Sequence, residues 1–187
     1  MNELLWYTSR ATGVASIVLL TVVLVLGLVT SGRRSPHGES ATVVIALHRW
    51  LSLGMLVFLG AHIATAVAET YVSIDAVSAL LPFTSGYETV WVGLGTLAFD
   101  ILLAVGVTSA LRRRLTERTW RRVHLLSYAM WPMALVHGLA LGTANEPLLR
   151  GATIFCGLVG AGAIAWRWSA VHADQERRDA VAAQRWT

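Results

Sequence analysis

The chain has 187 residues, of which 55% are hydrophobic and 14% charged, with a mean hydropathy of +0.58 and a formal net charge of +4. This balance excludes an ordinary water-soluble domain. The single cysteine, Cys156, excludes an internal disulfide and a cysteine-held metal cluster.

Five stretches are long and apolar enough to cross a hydrocarbon layer of about 30 Å, which takes about 20 helical residues. In chain order they run from about Ala11 to Thr30, Thr42 to Ala68, Thr89 to Leu111, Trp120 to Thr143 and Leu148 to Trp168. The fold expected is all-α, an integral membrane bundle of about five transmembrane helices. The leader MNELLWYTSR carries Glu3 and one arginine, and no small-residue cleavage site follows the first apolar run, so that run is read as an uncleaved helix rather than a signal peptide. Residues 1–168 form one membrane domain, and 169–187 a short tail rich in Ala, Glu, Gln and Arg that suits a surface helix extending the fifth span.

All 15 basic residues are arginine, and they alternate from loop to loop. Arg33 and Arg34 follow the first span, Arg112, Arg113, Arg114, Arg118, Arg121 and Arg122 join the third to the fourth, and Arg167, Arg177, Arg178 and Arg185 follow the fifth. The opposite loops hold Arg10 and Arg150, and the loop from Glu69 to Glu88 has acids and no basic residue. The positive-inside rule then puts the N-terminus outside and the tail in the cytoplasm, in a plasma membrane of the bacterial inner-membrane type. Membrane lipid is the expected surrounding, and the charge needs no nucleic-acid partner.

The chemistry lies in the histidines. His37 and His172 fall in a basic loop and in the tail, where a surface role is expected. His48 and His62 lie within the second span, and His124 and His137 within the fourth. Ionisable groups at membrane depth are costly and usually functional. A lone one is most simply a hydrogen bond to a neighbouring helix, but four in two pairs change the argument. Spacings of 14 and 13 residues are about 21 and 20 Å along a helix, and both helices run outward from the arginine-rich side. His48 therefore faces His124, and His62 faces His137, as axial ligands of two stacked b-type haems, inner and outer. One feature strains this picture: at about 100° per residue, 13 residues leave His137 about 140° from His124. Pro132, between them, is expected to kink the helix and re-phase His137.

The stretches LHRWLSLGMLVFLGAH and WRRVHLLSYAMWPMALVHG, with His48-x13-His62 and His124-x12-His137, resemble the ferric reductase-like transmembrane domain. That family includes the membrane part of NADPH oxidases, ferric reductases and the haem subunit of a bacterial methionine sulfoxide reductase system. The resemblance covers about two thirds of the chain. It implies paired b haems that relay electrons from a cytoplasmic donor to an acceptor outside, with His48, His62, His124 and His137 as iron ligands. Members that use NADPH directly carry a flavin and nucleotide domain after the helices. Here barely twenty residues follow the fifth span, and GLGTL at 93–97 lies in an apolar run rather than after a strand. A separate donor protein or quinol is therefore expected. The family usually has six spans, so one at the N-terminal end is expected to be missing.

Around the ligands, Arg49, Arg121 and Arg122 are candidates to pair with haem propionates, Arg49 from the deepest position. Trp50, Phe58, Tyr128 and Trp131 are placed to line haem faces or to pack and anchor. Asp100, central in the third span, is expected to pair with an arginine such as Arg49 or to serve a proton route. Three functions follow: a di-haem conduit feeding an extracytoplasmic acceptor such as ferric iron or a partner flavoprotein or reductase; a quinone-linked cytochrome b; or a haem-free transport or assembly protein.

Overall fold

A computed structural model describes residues 3–31, 38–69, 72, 74–142 and 146–184. Arg33, Arg34, His37, Thr143 and Arg185 lie outside the described residues, as do the side chains from His172 onward. The elements are α1 (Glu3–Thr30), α2 (Glu39–Ala68), α3 (Thr89–Ala110), a 3-10 turn (Arg112–Arg114), α4 (Glu117–Leu125), α5 (Ser127–Leu141) and α6 (Pro147–Gln184), with no strand among the described residues. Four helices are long and apolar enough to span a membrane: α1, α2, α3 and the Pro147–Val171 part of α6. The chain is an integral membrane helical bundle, and α6 continues without a break into the tail.

The fourth expected span is not one helix. It divides at Leu126 into α4 and α5. The sequence of α4, ERTWRRVHL, is polar, and its start is capped as a helix in water is, with Thr116 Oγ1 accepting from the Thr119 N–H at 3.2 Å. At 15 residues α5 is about 22 Å long, shorter than the single spanning helix expected there. The joint is tight: Leu126 N–H donates to Val123 O and Ala129 N–H to Leu126 O, both at 3.0 Å, while Ser127 Oγ donates to the freed His124 carbonyl at 2.7 Å. Such i→i−3 geometry advances about 120° per residue instead of about 100°. That extra rotation turns His137 toward the direction of His124. The break lies six residues before Pro132, which sits inside α5.

At the centre, α1 packs along α2 and also touches α5 and α6, while α3 pairs with α5. The core joins Ile17, Leu20, Leu24 and Leu28 of α1 to Met55 of α2, Ala98 of α3, Met130, Trp131 and Leu135 of α5 and Cys156 of α6. Many large apolar side chains, such as Val57, Phe155, Leu158 and Trp168, are exposed, as a protein solvated by lipid requires. Trp131 ties three helices: its indole N–H donates to Thr21 Oγ1 of α1 at 3.1 Å, and its ring lies against Gly160 of α6, where any Cβ would collide with it. A valine at Gly160 is therefore expected to force α6 off α5 and cost about 1–3 kcal/mol, as overpacking of close helix contacts does. A melting curve of the purified variant checks this, and an unchanged midpoint would refute it.

The loop before α3 is fastened to the bundle. Asp75 accepts from the Ser78 Oγ–H at 2.6 Å and the Ser78 N–H at 2.8 Å, bonds that hold its carboxyl below the usual range. The Ser78 carbonyl in turn accepts from Thr96 Oγ1 of α3 at 2.7 Å. This loop closes one end of the cavity described next.

Candidate functional site

The structure brings the four intramembrane histidines together as two pairs. The ring centres of His48 and His124 are 6.3 Å apart, and those of His62 and His137 are 6.2 Å apart. An imidazole nitrogen binds a transition metal at about 2.0–2.1 Å and lies about 1.1 Å from its ring centre, so two imidazoles on one iron have centres about 6.2–6.4 Å apart. Both pairs match that value. The helices that carry them leave room between, since α2 packs closely on α1 but not on α4 or α5. Two nitrogens fill two axial positions, and a porphyrin supplies the four equatorial ones that the protein does not. The donor set at each pair, and at His62–His137 also the cavity around it, are of a kind that suits a haem.

Three of the four rings are oriented by backbone. His48 Nδ1 lies 3.0 Å from Val23 O, His62 Nδ1 2.7 Å from Ser9 O, and His137 Nδ1 2.8 Å from Trp91 O. A carbonyl can only accept, so each Nδ1 carries the proton and each Nε2 keeps its lone pair for a metal. Bonds of this kind fix the ring and raise its basicity as a ligand. Each carbonyl is followed four residues later by a glycine, namely Gly27, Gly13 and Gly95, whose missing side chain admits the ring. A Cβ would lie 3.5 Å from His48 Cε1 at Gly27, 2.9 Å from His62 Nδ1 at Gly13 and 2.5 Å from His137 Nδ1 at Gly95. Sequence reasoning missed these positions. The signal was present, since Gly13 and Gly27 repeat at the 14-residue interval of His48 and His62.

His124 departs from the pattern. Its Nδ1 is buried and has no hydrogen-bond partner. Its ring stacks on Trp120, with centres 4.9 Å apart and planes at 27°, and Arg112 lies over the same indole at 4.1 Å.

A cavity of about 450 Å³ surrounds the His62–His137 pair, lined by α1, α2, α3, α5, the start of α6 and the Ser78 loop. Met55 and Met130 lie along it, near the midpoints between the successive histidines of their strands of sequence. Its polar lining includes Arg10, Tyr87, Glu146 and Arg150. The Arg10 guanidinium lies over Trp6 at 4.4 Å and donates from Nη1 to Leu141 O at 2.9 Å, while its buried Nε–H has no partner. Arg10 and Arg150 were counted at the sequence level only as loop charges. An arginine one residue before an apolar run was the available signal.

The other candidates are placed differently. Arg121 pairs with Glu117 at 2.9 Å on the exposed side of α4, and Arg49 and Arg122 are exposed. Asp100 and Arg49, both described, form no salt bridge with each other. Trp50, Phe58 and Tyr128 are exposed, and Trp131 is committed to the core.

Neither the curated proteins nor the solved structures compared with the chain gave a match. The profile of one family, "Ferric reductase like transmembrane component", matches residues 12–136. The match takes in most of α1, all of α2 and α3 and three of the paired histidines, and stops one residue before His137. Extending over well more than half the sequence and carrying the histidine-bearing helices, it shows that the chain belongs to the ferric reductase-like transmembrane family.

Proposed function

We propose that the chain carries electrons across a membrane by way of two b-type haems, one held by His48 and His124 near the cytoplasmic face and one by His62 and His137 near the outer face. The observation that carries this reading is the pair of matched imidazole separations, 6.3 and 6.2 Å. Bound there, haem supplies one-electron cycling between ferric and ferrous iron. The chain's own part is to hold the imidazoles with Nε2 free, to keep the slot between α2 and α5 apolar and dry, and to meet the carboxylates of the cofactor. For the outer position Arg10, with its unpaired Nε–H, and Arg150 are the cations that line the cavity. For the inner one Arg49 and Arg122 remain the candidates, and Arg121 is available if it releases Glu117.

The positive-inside distribution of arginines supports a cytoplasmic tail and a cytoplasmic or membrane donor, either a separate protein or a quinol. The arginines around α4 suit an acidic donor by electrostatic steering. The acceptor is extracytoplasmic, either ferric iron or a partner flavoprotein or reductase. In sealed vesicles of known orientation, protein reduced by dithionite is expected to be reoxidised by a membrane-impermeant ferric chelate on the outer side. Retention of the reduced spectrum would refute the path.

A further inference from the structure

The two histidine pairs are alike in separation and unlike in support. At His62 and His137 both rings give Nδ1–H to a backbone carbonyl, and both lie in a glycine notch. At the other pair only His48 does, through Val23 O. His124 has no acceptor for Nδ1 within reach, and no glycine notch holds its ring. It is packed instead on the face of Trp120, a contact within its own helix that fixes neither ring nitrogen.

The helix that carries it is also the least anchored. α4 is nine residues long, contributes no buried residue, and meets α5 through the tight joint at Leu126. The Ser127 Oγ–H bond to His124 O caps that joint rather than the imidazole. By contrast His137 sits on α5, which supplies Met130, Trp131 and Leu135 to the core.

These two differences act in one direction. An imidazole that donates Nδ1–H to a carbonyl is a stronger electron donor through Nε2, and loss of such a second bond typically weakens metal binding about 10–100-fold. A ligand on a short, loosely packed helix also moves away at little structural cost.

We propose that His124 is the exchangeable ligand of the four, so that the His48–His124 site, and not the His62–His137 site, takes up a small neutral ligand of the carbon monoxide class in its place. This rests on the reading that each pair holds a haem. The exchange is simple in its balance: the bond from His124 Nε2 to ferrous iron breaks, one from the incoming carbon atom forms, and no electron or proton moves. The same asymmetry makes the His48–His124 site the more easily reduced of the two, because the weaker donor set stabilises ferric iron less.

The test uses the full chain purified with its haem and reduced with dithionite. On titration with carbon monoxide, half of the total haem is expected to give the absorbance change. In a redox titration the wave at higher potential should move under carbon monoxide while the other stays. The double variant His62→Ala with His137→Ala should bind one carbon monoxide per remaining haem, and His48→Ala with His124→Ala should bind none. Uptake by neither haem or by both in the parent protein would overturn the proposal, as would a shift of the lower-potential wave or the reverse result in the two variants. A preparation that holds no haem defeats the underlying reading instead, so the two failures are told apart.

Discussion

Replacing His137 with alanine is expected to remove one haem of two while leaving the other spectroscopically intact. The expectation follows from how separate the pairs are. His124 and His137 lie on different helices joined at Leu126, and the 14-residue spacing of His48 and His62 puts the two levels about 21 Å apart. His62→Ala should have the same outcome, because His62 and His137 face each other at 6.2 Å and one imidazole alone leaves an axial position empty. Haem released by extraction and compared with protein concentration checks both variants. Loss of both haems, or of neither, would show that the pairing is wrong.

The second large effect needs no change to a ligand. Valine at Gly95 should also empty the His62–His137 site, because a Cβ there would lie 2.5 Å from His137 Nδ1, inside any real contact distance. The ring must then swing off the Trp91 carbonyl, losing the bond that sets its tautomer and aim. Such outer-shell changes weaken metal sites about 10–100-fold. The glycines form a graded series. Gly13→Ala, with 2.9 Å to His62 Nδ1, should weaken the same site, whereas Gly27→Ala, with 3.5 Å to His48 Cε1, makes an ordinary contact and should be tolerated. Gly106→Ala meets nothing within 4 Å and serves as the control. Haem retention during dilution in detergent measures the order, and a Gly95 variant that holds its haem as the parent does would remove the notch from the account.

Hydropathy alone made the membrane bundle legible, because α1, α2, α3 and the start of α6 are uninterrupted apolar runs. It failed at α4, whose Arg121 and Arg122 fell within the bounds of a fourth span that the structure divides at Leu126. The four histidines were legible as pairs from their spacing along the chain. The break between His124 and His137 was not, since the i→i−3 hydrogen bonds that interrupt the helix at Leu126 are announced by no residue pattern. Backbone acceptors were equally invisible: Ser9, Val23 and Trp91 act through their carbonyls, and side-chain identity says nothing of where a carbonyl is spent. Arg10 was overlooked for a different reason. Charge counting treats an arginine at a span boundary as a topology signal, and only packing reveals that its Nε is buried beside a cavity.

The central claim is that two opposed imidazole pairs each hold a haem, and a haem count on the purified chain tests it most directly. Protein isolated from a haem-sufficient host should contain two haems per chain, both low-spin in the ferric and ferrous states, because His48, His124, His62 and His137 fill both axial positions of two irons. A count near zero or one, or a high-spin spectrum for both, would contradict it.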